Sequence, residues 1–178
     1  MVPVKIRVGK KAHSFTVIDL KGNSISLNDY KNKKVLLSFY RYASCPLCNL
    51  RISQIIQQYD LLKEKGLHII AFFQSPRESM EQYVGRQNPP FPLIPDPERK
   101  IYKMYGVERS WLKYLKGGIS RKMVIAMKSG FKIGKIEGQK NLVPADFLLD
   151  NLVIKKTYYG TSIADHIPIE EIFRFLEK

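Results

Sequence analysis

An α/β domain, with a mixed central sheet flanked by helices, is what this 178-residue sequence predicts. Three observations carry that expectation. Residues 35–40 are a continuous apolar run, and 67–73, apolar but for His68, read as another strand buried in the sheet. Residues 46–65 lie between them with helical periodicity, so the two strands are joined by a crossover and run parallel. Residues 147–149 and 153–159 flank an Asp150-Asn151 turn, which adds an antiparallel pair to the sheet.

The remaining elements follow in chain order. Residues 13–20 and 24–27 read as short strands around a Lys21-Gly22-Asn23 turn, an N-terminal β-hairpin. The helix at 46–65 opens on Pro46, whose missing N–H would be unpaired in a first turn anyway. Ile52, Ile55, Ile56, Tyr59 and Leu62 line one of its faces, and Gly66 is its stop signal. A short helix is expected over 76–84, a strand over 91–94 and a helix over 96–105 with Pro97 near its start. Residues 110–127 read as a helix or helix pair broken at Gly117-Gly118, with Trp111 as an apolar anchor. Residues 128–135 are basic and glycine-bearing, hence a loop, and 169–176 form a C-terminal helix. No repeat, low-complexity tract or flexible linker interrupts the order, so residues 1–178 are expected to form one domain.

Composition narrows the function classes. A 44% hydrophobic content suits a sizeable core, while no stretch approaches the ~20 apolar residues of a membrane span. The N-terminus lacks the layout of a signal peptide, so a cytoplasmic protein is expected. The formal net charge of +14 raises the question of an acidic partner, nucleic acid or an anionic membrane. The lysines are scattered rather than blocked, which favours a plain solvated surface over a nucleic-acid site.

The only two cysteines sit as Cys45-Pro46-Leu47-Cys48, where the first buried strand runs into the helix. In a reducing compartment such a pair reads as redox or metal-binding. At the start of a helix, the first-turn N–H groups and the macrodipole favour thiolate at Cys45. Arg41 and Arg51 are the nearby cations, and the sequence does not say which points inward. Spacing of three places Cys48 on the same helical face, within bridging reach. Cys45, expected to be exposed at the helix tip, is the candidate attacking sulfur; Cys48, one turn inside, is the candidate resolving sulfur. An inert pair would need no such spacing. Zinc wants four ligands in a closed site, whereas there is no second CxxC and His13, His68 and His166 are far apart. Tyr42 and Ser44 flank Cys45 and are expected to shape its pocket. His166 reads as a hydrogen-bonded surface residue, with a proton relay as the alternative.

These residues resemble the thioredoxin-like superfamily, in its peroxiredoxin-like (AhpC/TSA) branch, over roughly residues 12–160. The likeness is carried by the opening hairpin at 12–22, the run 27–40 into the CxxC, Phe91-Pro92-Leu93-Ile94-Pro95-Asp96-Pro97 and Tyr105-Gly106-Val107. It implies a thioredoxin-like fold and a redox-active disulfide. It also implies that Pro144, opening the segment 143–150, is a cis-proline packed against the CxxC. Two departures stand out. In the family's PxxxTxxC pattern the Pro and Thr positions hold Ser38 and Tyr42, and its peroxide-polarising arginine falls near Pro144. The resulting expectation is a thiol-disulfide oxidoreductase and antioxidant protein cycling Cys45 and Cys48, without metal or organic cofactor. A thioredoxin-type protein or small thiol would restore the dithiol. A peroxidase on the same fold, with Arg41 as the donor to peroxide, is the first alternative. A basic binding module, built on Lys113, Lys116, Arg121, Lys122 and the lysines of 128–140, is the second.

Overall fold

The computed structural model describes residues 4–107, 110, 112 and 121–177. Strands β1 (Thr16–Ile18) and β2 (Ser24–Ser26) pair antiparallel as the expected hairpin. The main sheet contains β3 (Lys34–Phe39), β4 (Leu67–Phe73), β5 (Leu93–Pro95), β6 (Ala145–Asp150) and β7 (Val153–Tyr159) in the spatial order β5-β4-β3-β6-β7. β4 runs parallel to β3, and β5 parallel to β4; β6 and β7 are antiparallel additions. Helix α1 (Pro46–Glu64) supplies the β3–β4 crossover. The other α-helices among the described residues are α2 (Arg77–Gln82), α3 (Lys100–Met104), α4 (Arg121–Lys128) and α5 (Ile169–Leu176).

β3 is the middle strand, and its burial from Val35 to Phe39 follows from that position. Its alternate residues serve two cores. Leu36 and Tyr40 point into the cluster under α1 and α5, with Ile52, Ile55, Leu62 and Ile172. Val35, Leu37 and Phe39 point into the cluster under the hairpin and α3, with Phe15, Phe72, Tyr102 and Phe147. Phe39 and Phe72 stack at 4.7 Å, and Phe15 meets Phe72 edge-on at 5.3 Å. Each fully buried aliphatic or aromatic side chain of this kind contributes about 1.5–3 kcal/mol of transfer free energy.

The expected boundaries of α1 are met: Pro46 is its first residue and Gly66 follows its end with φ +83°. The late hairpin is also as expected, with Asn151 and Leu152 both at positive φ in the turn. Expected helix starts at 76 and 96 lie at Arg77 and Lys100 instead. At α3 the reason is Asp96, whose buried carboxylate accepts the N–H groups of Lys100 (2.9 Å) and Ile101 (2.8 Å) and so fixes the first turn there. Only Ser110, Leu112 and residues from Arg121 onward are described in the expected helical region 110–127, so Trp111, Lys113, Lys116 and the Gly117-Gly118 break lie outside the described residues.

Candidate active site

The hydroxyl of Tyr102 shares its one proton between the carbonyls of Tyr40 (2.6 Å) and Phe72 (2.7 Å), tying together the ends of β3 and β4 where the chain leaves for the CxxC. From there Cys45 becomes the N-cap of α1, with extended backbone (φ −65°, ψ 118°). Asn49, one turn in, braces the bend by donating from its side-chain amide to the carbonyls of Ala43 (2.7 Å) and Cys45 (3.0 Å). Ser75, at the end of β4, accepts the N–H of Ala43 at 2.9 Å. Rigid strand ends thus hold a tight turn that aims Cys45 across the first turn of the helix.

Both cysteines are free thiols. Arg41 is the cation that turns inward: its Nη1 donates to Cys45 Sγ at 3.4 Å, its Nη2 donates to the carbonyl of Lys140, and its guanidinium lies 4.9 Å over the ring of Tyr42. Arg51 points the other way and donates to the carbonyl of Ile167 at 2.6 Å. Burial opposes a charge on Cys45, but the Cys48 thiol, the Arg41 charge and the N–H groups of Cys48 and Leu47 outweigh it and bring the Cys45 thiol down to about 6. Cys48 is driven the other way, well above the ordinary thiol range, by burial and by the negative sulfur of Cys45 beside it. One thiolate with an adjacent protonated thiol is the division of labour that disulfide exchange requires.

Three expectations are corrected by the structure. Cys45 is not exposed at the helix tip: it is 0% exposed, and Cys48 1%. The neighbours of Cys45 are hydrogen-bonded to the segment 131–142, which overlaps the basic loop expected over 128–135. Ser44 Oγ donates to the carbonyl of Lys135 (2.7 Å), and Gln74 donates to the carbonyl of Gln139 (2.7 Å) while accepting its N–H (2.9 Å). Second, no peptide bond among the described residues is cis, so the bond before Pro144 is trans. Trans is favoured by about 0.5–1 kcal/mol for X–Pro bonds in general. In this arrangement the Pro144 carbonyl accepts the N–H of Gly160 at 2.9 Å, extending the β6–β7 ladder by one rung. Third, His166 is not a surface residue. It is buried, its Nδ1 lies 3.0 Å from Asp146 Oδ2, and its ring leans on Tyr40 at 4.6 Å.

Asp146 belongs to a polar group the sequence did not reveal. It accepts from Ser38 Oγ (2.5 Å) and the Ile167 N–H (2.8 Å) as well as facing His166. Burial opposes its ionisation, but His166, Arg51 and the Ser38 hydroxyl together hold the carboxyl below its usual range. Ser38, on the same face of β3 as Leu36 and Tyr40, is therefore committed to Asp146. Gln74 and Ser75 were also missed, although a signal existed: two polar residues directly after a largely apolar parallel strand mark the strand end at which α/β sheets place their sites. A cleft of about 390 Å³ opens along α1, lined by Leu47 of the motif, Arg51, Gln54, Lys122 and His166. Among the described residues no group of three or more His, Cys, Asp or Glu is placed to hold a metal ion.

Residues 8–150 match the AhpC/TSA family. The chain belongs to that family. A Mycobacterium tuberculosis (strain H37Rv) protein named as a peroxiredoxin is 28% identical over 124 residues, covering 68% of this chain and 79% of its own. The thiol-disulfide oxidoreductase ResA of Bacillus anthracis is 35% identical over 104 residues, 58% of this chain and 60% of that protein. In three dimensions the AhpC/TSA chain is similar to the crystal structure of peroxidoxin BcpB from Mycobacterium tuberculosis, with a TM-score of 0.70 at 15% identity over 97% of both chains. The expected thioredoxin-like α/β fold is thereby met. No helix among the described residues is long and apolar enough to cross a membrane.

Proposed function

We propose that this AhpC/TSA-family protein is a thiol-disulfide oxidoreductase that cycles Cys45 and Cys48 between dithiol and disulfide. The observation that carries the reading is the opposed pair: a Cys45 sulfur ionised near neutrality, held by Arg41 Nη1 at 3.4 Å, beside a protonated Cys48. The Cys45 thiolate attacks one sulfur of a substrate disulfide. An S–S bond forms to Cys45 and the substrate bond breaks, its leaving thiolate taking up a proton. The Cys45 charge is then gone, so Cys48 no longer faces a negative neighbour and ionises more readily. It attacks Cys45, closes the intramolecular disulfide and expels the second substrate thiolate. Two electrons pass to the substrate, and a thioredoxin-type dithiol or small thiol returns them. A reducing cytoplasm would keep the resting pair as thiols.

Arg41 assists by stabilising the attacking charge, Pro46 by starting the helix one residue after Cys45, and Ser44 and Tyr42 by framing the sulfur. Peroxide reduction is the second reading, favoured by Arg41 beside Cys45 and by the relative named as a peroxiredoxin. There the thiolate would take one peroxide oxygen as sulfenic acid and release an alcohol or water, and Cys48 would displace water to close the same disulfide. Ser38 and Tyr42, at positions where the family pattern has Pro and Thr, weigh against it. Stopped-flow mixing of the reduced protein with hydrogen peroxide and with a disulfide-linked peptide separates the two. Exchange with the disulfide together with a peroxide rate near that of free cysteine supports the proposal. Rapid peroxide consumption with negligible exchange overturns it.

A further inference from the structure

The segment 131–142 does more than shield the sulfur. Its hold on the site is directed at main-chain atoms: Ser44 to the carbonyl of Lys135, Arg41 to the carbonyl of Lys140, and Gln74 to both the N–H and the carbonyl of Gln139. A two-way amide pairing of that kind reads polypeptide backbone and ignores the side chain attached to it. Side chains of the strap are held as well: Glu137 accepts from Ser79 Oγ at 2.6 Å, and Leu142, at the strap's end, is buried in the core cluster that contains Phe147. The fit depends on glycine: a Cβ on Gly138, already at φ +63°, would lie 2.6 Å from Gln74 Oε1. The outer face is poorly anchored, with Ile133 57% and Ile136 46% exposed.

We propose that the strap 131–142 occupies a backbone-recognition site built from Ser44, Gln74 and Arg41, and that the substrate is an extended polypeptide segment carrying a disulfide, which displaces the strap and takes over its hydrogen bonds. This rests on the thiol-disulfide reading above and adds the substrate class. On release of the strap, Ser44 and Arg41 are ready to donate to carbonyls of the incoming chain and Gln74 to pair with one of its amides, while Ser79 gives up its bond to Glu137. A small disulfide or a peroxide offers no backbone to make that exchange.

The test uses the full reduced chain and its Gly138→Ala and Gln74→Ala variants. Three rates are read on each: alkylation of Cys45 by iodoacetamide, exchange with hydroxyethyl disulfide, and exchange with a disulfide-linked peptide. Gly138→Ala loosens the strap but leaves the recognition groups in place, so all three rates rise, on the order of tenfold for a lost pair of hydrogen bonds. Gln74→Ala loosens the strap and also removes the amide, so alkylation and small-disulfide exchange rise while the peptide gains nothing or slows. A parallel rise of peptide and small-disulfide rates in Gln74→Ala overturns the recognition role and leaves a simple lid. Unchanged alkylation in both variants overturns the strap as a gate. Failure of the underlying redox reading looks different: no Cys45–Cys48 disulfide would form on mild oxidation of any of the three proteins.

Discussion

Replacing Arg41 with methionine isolates the charge that faces Cys45. The Cys45 thiol ionises at about 6, against an unperturbed cysteine at ~8.5. Arg41 shares that depression with the Cys48 thiol and two backbone N–H groups, and its Nη1–Sγ distance of 3.4 Å makes it a moderate hydrogen bond. A bond to a charged group contributes about 1.5–3 kcal/mol, and the lower end converts to about one pH unit at 1.36 kcal/mol per unit. The midpoint of Arg41→Met should therefore move to about 7, and the thiolate fraction at pH 6 should drop from about one half to about one tenth. Iodoacetamide alkylation followed across pH measures it directly. Arg41 also ties down the strap through the Lys140 carbonyl, so the variant's alkaline plateau should rise while its midpoint shifts upward. The two readouts separate access from ionisation. A midpoint that stays near 6, or moves lower, refutes the assignment of Arg41 as the stabilising charge.

The Cys48 thiol donates toward Cys45, so Cys48→Ala should raise the Cys45 alkylation midpoint by about one unit, while Cys48→Ser, which keeps a donor, should hold it near 6 and trap the mixed disulfide for mass spectrometry. Tyr102→Phe removes the tie between the ends of β3 and β4 and should cost about 1–2 kcal/mol, read as a lower urea midpoint at unchanged slope. Asp146 has a folded pKa below that of a free carboxyl at ~3.9, so its stabilisation is complete above the unfolded value and is lost as pH falls through the folded one. Acid unfolding monitored by circular dichroism should show that limb in the wild type and lose it in Asp146→Asn, which will be less stable at neutral pH.

The sheet and the crossover helix were legible because their signals are local. Residues 35–40 and 67–73 are apolar except for Ser38 and His68, as expected of a doubly covered strand, and Pro46 and Gly66 punctuate the helix between them. The redox pair was legible for the same reason: Cys45 and Cys48 are spaced along one helical face. Burial of Cys45 was not legible, since the strap lies about a hundred residues away and is held through backbone atoms, which leave no pattern in side-chain identity. The Asp146–His166 contact spans 20 residues and depends on how β6 sits against the loop before α5, a placement set by tertiary packing. Arg41 and Arg51 were equivalent on paper. Only the direction of each chain, one to the sulfur and one to the Ile167 carbonyl, separates them.

The ionised Cys45 also sets which electrons this centre can give away. Whatever stabilises a thiolate stabilises the reduced form, and so raises the reduction potential of the couple, as it does in strongly oxidising dithiol proteins. The pair should then rest reduced even beside a modest thiol pool. It would pass electrons downhill only to bonds more eager to accept them, namely strained or solvent-exposed disulfides. Arg41 and the helix start therefore act as a thermodynamic filter: they speed attack on labile bonds while leaving well-packed structural disulfides beyond the reach of the couple.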